Sequence, residues 1–202
     1  MGMPAVITDE KLVQELLAER QRTGAARWDE VWDGVVHMSP MPSVEHQREE
    51  KRLLLALYEL IEAKGLGEVF HQVNVADPVK GMDDYRVPDL CVVLPESQAK
   101  IEHSYIAGGP ELVVEIHSPN DETYDKLAWY AKQGVKEVLV IHRDTRKVEL
   151  FRNKSGQMVL EMASPQSIEL NTVPLVLKTV KAEQGLKIAI CHRDDPQRVF
   201  WM

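Results

Sequence analysis

The chain has 202 residues, 44% of them hydrophobic and 28% charged, and a formal net charge of −8. That length suits one well-filled domain, and the acidic balance excludes a histone-like coat held on nucleic acid by bulk positive charge. A local basic groove, or a cation bridging acidic residues to phosphate, is left open. No apolar run approaches the ~18–20 residues that span a bilayer, so no membrane segment is expected. MGMPAVITDEKLVQELLAER lacks the basic start and long apolar stretch of a signal peptide. Cys91 and Cys191 make no CxxC pattern, and a reduced, cytoplasmic protein is expected.

In chain order, Leu12, Val13, Leu16 and Leu17 recur at helical spacing behind Thr8, a capping residue. In WDEVWDGVVHMSP, two alternating runs flank Asp33-Gly34, which predicts a β-hairpin. PSVEHQREEKRLLLALYELIEAKG predicts a long helix ended by Gly65. Leu53, Leu54, Leu57, Leu60 and Ile61 form its buried stripe, and Gln47, Arg48, Glu50 and Lys51 its wet beginning. Four strand-like runs follow: GEVFHQVNVA, VPDLCVVL, ELVVEIH and EVLVIH. Cys91 reads as a small core residue of the second. Gly108-Gly109 precedes a strand and reads as a turn, not a phosphate loop. A helix around Thr123–Gln133 between the last two runs gives the spacing of a βαβ crossover. KVELFRN predicts a further strand, in a hairpin with EVLVIH through Arg143-Asp144-Thr145-Arg146. Beyond residue 157 the pattern weakens, and the remaining runs read as edge strands or an oligomer contact.

With no repeat, linker or boundary, residues 1–202 read as a single α/β (α+β) domain. It has a central mixed β-sheet flanked by helices, preceded by an N-terminal helix and β-hairpin.

The chemistry gathers around ELVVEIHSPNDETYDKLAWY. Alternate strand residues share a face, so Leu112, Val114 and Ile116 point into the core and Glu115 and His117 emerge together near the strand's C-terminal end. Ser118 can cap the next helix, Pro119 suits its first position, and Asp121 and Glu122 favour its positive end. Lys126 then sits about two turns in, with Trp129 and Tyr130 on its side, where its ammonium can reach Glu115. If VPDLCVV pairs beside ELVVEIH, Asp89 faces Glu115. Two such carboxylates need a proton or cation between them, and a hard divalent ion such as Mg²⁺ is the usual solution.

Several of these residues have simpler readings. Lys126 can be a solvated lysine paired with Glu122, Glu30 an exposed strand residue, and His46 a first-turn helix residue. His117 can be a polar strand-end residue with one hydrogen bond. The remaining histidines show no HxxxH or HxH spacing, which argues against zinc. Ser118 lies in no GxSxG motif. Trp28, Trp32, Trp129 and Trp201 read as packing residues, although Trp32 and Trp129 can stack on a base.

Pro88-Asp89, then Glu115 to Ser118, then Asp125, Lys126 and Tyr130 resemble the motif residues of the Uma2 family, whose members look like PD-(D/E)XK nucleases of the restriction-endonuclease-like fold. The resemblance runs over about residues 28–152, with 157–202 as a C-terminal extension. It implies Asp89 and Glu115 as ligands of Mg²⁺ (or Mn²⁺). His117 occupies the position of the in-place lysine, and Lys126 from the next helix matches its replacement. Glu30 and His46 match further family positions as accessory residues, while Val35 stands where the family carries an acid. The function implied is a Mg²⁺-dependent endonuclease acting on nucleic acid, with DNA as the substrate. The alternative is a catalytically inactive nuclease fold acting as a binding module. A homo-oligomer, most simply a dimer joined through Phe200 and Trp201, would place two sites against two strands.

Overall fold

The computed structural model describes residues 7–119, 121–183 and 185–202. Helix α1 spans Glu10–Thr23. Its cap is Asp9 rather than Thr8: the carboxylate accepts the Leu12 N–H at 3.0 Å. None of its residues is buried. Arg20 ties it down by donating to Asp29 Oδ2 at 2.7 Å and to the Ser39 carbonyl at 2.6 Å. Strands β1 (Glu30–Trp32) and β2 (Val35–His37) form the expected hairpin. Asp33 at φ 47° and Gly34 at φ 84° turn it, the left-handed pair that a two-residue hairpin loop requires.

Helix α2 spans Val44–Leu60, is capped by Ser43, and runs through a 3₁₀ turn to Gly65 at φ 69°. Leu53, Leu57, Leu60 and Ile61 are buried as the periodicity requires, and Leu54 packs partly buried against them. The wet beginning is corrected at one residue: Glu50 is 2% exposed. It lies four residues after His46, one helical turn along the same face, which turns inward over the sheet.

GEVFHQVNVA is two strands, β3 (Glu68–His71) and β4 (Val75–Asp77), which join different sheets. The break is at Gln72, held at φ 47°. Its N–H donates to the Asp89 carbonyl at 3.1 Å, and its side chain accepts from Trp28 and donates to Glu50, both at 3.1 Å. Next come β5 (Gly81–Arg86), β6 (Leu90–Val93), β7 (Lys100–Ile101), β8 (Ile106–Ala107) and β9 (Leu112–His117).

The crossover departs from expectation at its start. Asp121 accepts the Thr123 N–H at 3.1 Å and also that of Ser118, so the chain turns and becomes helical only at Thr123. Local carboxylate-to-backbone bonds compete with helix formation there. Ser118 is therefore no helix cap, and Lys126 ends a 3₁₀ turn just before α3 (Leu127–Gln133). Asn120 lies outside the described residues. Strands β10 (Glu137–His142), β11 (Val148–Lys154), β12 (Gln157–Ala163), β13 (Ile168–Glu169), β14 (Leu175–Ala182), β15 (Gly185–His192) and β16 (Asp195–Trp201) complete the chain.

The central sheet has the order β12-β11-β10-β9-β6-β3, a second sheet β2-β1-β5-β4-β8-β7, and a third β13-β14-β15-β16. β9 runs parallel to β10, with Glu115 beside Val140, and antiparallel to β6. Leu112, Val114 and Ile116 pack on α2 and on the third sheet through Ile168, Leu177, Ile188 and Ile190. The opposite face is buried too, with Val113, Val138 and Val140 in one cluster with Trp129 and Tyr130 of α3. Burial on both faces explains why β9 and β10 read as nearly continuous apolar runs. The residues after 157 are more than edge strands, because their sheet closes one side of the core. Phe200 packs partly buried on that core, and Trp201 is 52% exposed. Among the described residues no helix is long and apolar enough to cross a membrane.

Candidate active site

β6 and β9 are adjacent and antiparallel, with Leu90 opposite Val114. That register brings Asp89, just before β6, beside the C-terminal end of β9. Its Oδ2 accepts the Ile116 N–H at 2.6 Å, and its Oδ1 bonds His46 Nε2 at 2.7 Å. The strand end, the loop after Pro88 and the first turn of α2 thus meet at one carboxylate.

Glu115 is 4% exposed. Its Oε1 accepts from the Tyr130 hydroxyl at 2.6 Å and lies 3.2 Å from Lys126 Nζ. Lys126 also contacts Glu30 Oε1 at 2.8 Å and not Glu122, which pairs with His37 at 3.1 Å. Glu30 is buried, not an exposed strand residue: it further accepts the Val87 N–H at 2.8 Å and the Trp32 indole N–H at 2.7 Å. Trp129 is buried as well, so it offers no face to a base, and the Arg86 guanidinium lies 4.4 Å from the ring centres of both Trp32 and Trp129.

Glu50 is the residue that sequence reasoning missed. Its Oε2 accepts from Gln72 at 3.1 Å. Its Oε1 is buried without a hydrogen bond among the described residues. His71 Nε2 lies 3.0 Å from that oxygen, an ion pair when the imidazole is protonated. One ligand atom from each of His46, Glu50 and Asp89 lies within 4.8 Å of the others. The available signal was the four-residue spacing from His46, three residues ahead of the buried Leu53.

His117 is directed elsewhere. Its Nδ1 bonds Asp121 at 2.7 Å, and its ring stands edge-on to Tyr124 and His142 at 5.2 and 4.8 Å. Ser118 Oγ accepts from Arg143 at 3.1 Å.

The electrostatics follow from burial. Desolvation, with the charges of Asp89 and Glu30, raises the pKa of Glu115 above the ordinary carboxylate range, and the charge of Lys126 opposes the rise. Desolvation and then Asp89 push Glu50 up to about 7. Burial opposes charging of Lys126, yet Glu115 and Glu30 raise its pKa and keep it an ammonium. Burial likewise opposes a charged His46, and the hydrogen bond and charge of Asp89 more than offset it. The group is short of positive charge. One ligand atom from each of His46, Glu50 and Asp89 is placed where a divalent cation could be held, whereas Glu30 and Glu115 are engaged by Lys126.

Glu30, His46, Asp89, Glu115 and Lys126 line a cleft of about 980 Å³, with Leu17 of α1 and Val35, Met38 and Met41 of the hairpin region on its walls. The family model for Uma2, described as "Putative restriction endonuclease", matches residues 15–182. The chain belongs to the Uma2 family. A "putative nuclease belonging to DUF820" from Anabaena variabilis ATCC 29413, known from its crystal structure, is similar in fold. It superposes with a TM-score of 0.57 at 17% identity, over 71% of this Uma2 chain and 82% of its own. The fold of this Uma2 protein is restriction-endonuclease-like, mixed α and β. No curated protein matches the chain.

Proposed function

We propose that this Uma2 protein is a divalent-metal-dependent nuclease that hydrolyses phosphodiester bonds in DNA at the cleft. The observation that carries this reading is the convergence of Asp89 and Glu115, from adjacent strands, with a buried lysine held against Glu115 at 3.2 Å. Asp89 and Glu115 hold the metal, Mg²⁺ or Mn²⁺. A cation bound there supplies Lewis-acid polarisation of the phosphodiester and a lowered pKa for water.

Lys126 binds a phosphate oxygen and stabilises the charge that develops on it. Glu30 and Tyr130 are positioning residues: Glu30 aims the Lys126 ammonium, and the Tyr130 hydroxyl fixes the rotamer of Glu115. His46 orients Asp89 through the bond at 2.7 Å. His117, tied to Asp121, takes no part in bond cleavage. Lys126 comes from the crossover rather than from the strand, and its Nζ lies 3.2 Å from Glu115 Oε1.

We further propose that the 202 residues fold as one domain, since a single core cluster joins α2, β9 and the third sheet. Heating is expected to give one cooperative transition. We also propose that the protein is cytoplasmic, with Cys91 and Cys191 as free thiols. A homodimer, placing two clefts for two strands, is expected in analytical ultracentrifugation.

The deciding experiment is Mn²⁺-dependent cleavage of plasmid and single-stranded DNA at low salt, with Glu115→Ala beside the wild type. Cleavage by the wild type alone supports the nuclease. Metal binding without cleavage supports a second reading, a binding module, which the full engagement of Lys126 by Glu30 and Glu115 favours. Equal cleavage by both proteins sinks the assignment of Glu115.

A further inference from the structure

The cleft has an apolar wall that the chemistry at Asp89 and Glu115 does not use. It is built by Val35 and Val36 of β2 and by Met38 and Met41 in the loop that follows. All four are exposed, Val35 at 61% and Met41 at 64%. Apolar side chains gathered in water at a cleft mark a surface that a ligand covers. Met41 stands between Pro40 and Pro42. The proline rings restrict the backbone on either side of it, so the thioether is presented on a stiff loop. Lys126–Glu30 at 2.8 Å and His37–Glu122 at 3.1 Å fasten the hairpin to the crossover, which holds this wall at a fixed distance from Glu115. Cations are scarce by comparison. Among the described residues that line the cleft, the lysine and arginine side chains are those of Lys126 and Arg143. Lys126 is engaged by Glu30 and Glu115. Arg143 follows β10 and donates to Ser118 Oγ at 3.1 Å and to Asp144 at 2.7 Å. Asp144 is half exposed, so that pair is weak and a phosphate can replace it. With Glu45 and Asp121 also near, Arg143 can hold one phosphate and not a row of them.

We infer that the cleft takes single-stranded DNA, with unpaired bases against Met38 and Met41 and a backbone phosphate on Arg143. The inference rests on the nuclease reading for the phosphate at Glu115, and adds to it the state of the substrate. A duplex keeps its base faces inside the stack and turns sugars and phosphates outward, so it offers an apolar wall little and needs many cations. An unpaired strand offers the faces of its bases, and each base that packs on protein adds affinity whatever its identity. Thioethers make favourable contacts with aromatic rings and adapt to their shape, which suits a surface without sequence preference. Trp32 cannot serve instead. His37 stacks on it at 4.0 Å and the Arg86 guanidinium lies 4.4 Å from its ring centre, so both faces are taken. The volume of about 980 Å³ sits at the upper end of the ~300–1,000 Å³ of pockets that enclose small molecules, room for a few unpaired nucleotides. Ser118, which holds Arg143, is three residues past Glu115, so their backbones are at most about 11 Å apart. The phosphate on Arg143 and the phosphate at Glu115 then belong to nearby nucleotides of one strand.

The test measures binding by the full chain in EDTA, so that it does not depend on cleavage. The probe is a fluorescein-labelled DNA strand of mixed sequence and about sixteen nucleotides, the upper end of the ~4–16 that single-strand-binding folds cover. Its anisotropy is followed alone and as the matching duplex at about 50 mM salt. The single strand is expected to bind at least about tenfold more tightly than the duplex. Replacing both thioethers, Met38→Ser with Met41→Ser, should weaken single-strand binding by about tenfold and leave the denaturation midpoint in place. Arg143→Ala should lower the slope of log affinity against log salt by about 0.7. Should the double variant fail to fold, the methionine methyl signals of the wild type decide. Those of Met38 and Met41 should shift in nuclear magnetic resonance spectra when the single strand is added, while that of Met202, buried in the core, stays.

A duplex bound as tightly as the single strand overturns the inference, as does single-strand affinity unchanged by the two serines or unshifted Met38 and Met41 signals. If the duplex is then cut with Mn²⁺ by the wild type and not by Glu115→Ala, the nuclease reading survives without the inference. If the single strand binds as inferred and neither form of DNA is cut, the nuclease reading fails and the binding surface stands.

Discussion

Lys126 lies between two buried carboxylates, 2.8 Å from Glu30 and 3.2 Å from Glu115. Lys126→Ala leaves both without their ion-pair partner, an effect of about 3–5 kcal/mol. In denaturant titrations the metal-free variant should be destabilised by that amount, and Mn²⁺ should restore part of it by neutralising Glu115. Metal affinity is expected to persist while cleavage slows by about 10²-fold. Equal rates would return Lys126 to a structural role. Glu149 offers a different readout. Although burial works against it, hydrogen bonds from His142, Lys147 and Tyr124 hold its carboxyl down at about 2, against an ordinary 4.5. The unfolded chain therefore takes up this proton first as acid is added. The stabilisation is complete above about pH 4.5 and is lost as pH falls toward 2. Glu149→Gln should flatten the acid limb of the stability curve in that window. Asp89, Glu115 and Lys126 could be picked out in advance because strand alternation and a recognised motif converge on them. Glu50 could not, because a glutamate early in an amphipathic helix looks solvated until the fold shows which face turns inward.

At the level of elements, periodicity found what local physics controls. The hairpin at Asp33-Gly34, the stripe of α2 and the parallel pairing of β9 with β10 all follow from residue spacing. The failures occur where one residue overrides its run. Gln72 breaks a strand because three hydrogen bonds hold its left-handed backbone, and Asp121 delays a helix by capturing two backbone N–H groups. Neither effect has a period. Two substitutions probe the packing of these elements. Leu57→Ala, at a site 1% exposed between α2 and the sheet, should cost about 2–5 kcal/mol in chemical denaturation. Gly109→Ala places a methyl group 2.2 Å from the Val135 nitrogen and 2.6 Å from the Gly134 carbonyl carbon. Both are backbone atoms, so the segment before β9 and the turn after α3 cannot keep their close approach. The variant should lose about 1–3 kcal/mol, and an unchanged denaturation midpoint would refute that account of the contact.

For the whole molecule, the acidic surface sets the terms of any encounter with DNA. A chain of net charge −8 repels the polyanion, so its hold on phosphate rests on the few cations that line the cleft, Lys126 and Arg143, whose contacts added salt weakens. Cleavage should therefore fall by about tenfold or more between ~50 and ~200 mM salt, which rate measurements across that range will check. The third sheet was the least readable part of the molecule. Its strands alternate weakly, and their apolar residues make sense only against the far face of β9. α1 stands at the opposite extreme. It buries nothing, is fastened through Arg20, and lends Leu17 to a wall of the cleft. A helix held by so little opens on its own long before the domain does. In a hydrogen–deuterium exchange experiment its amides should label at the earliest times, while those of β9 and β10 wait for global unfolding. DNA would then meet a cleft with one soft bank and one hard one, and the stiff strand ends that hold Asp89 and Glu115 would stay in register while the helix moves aside.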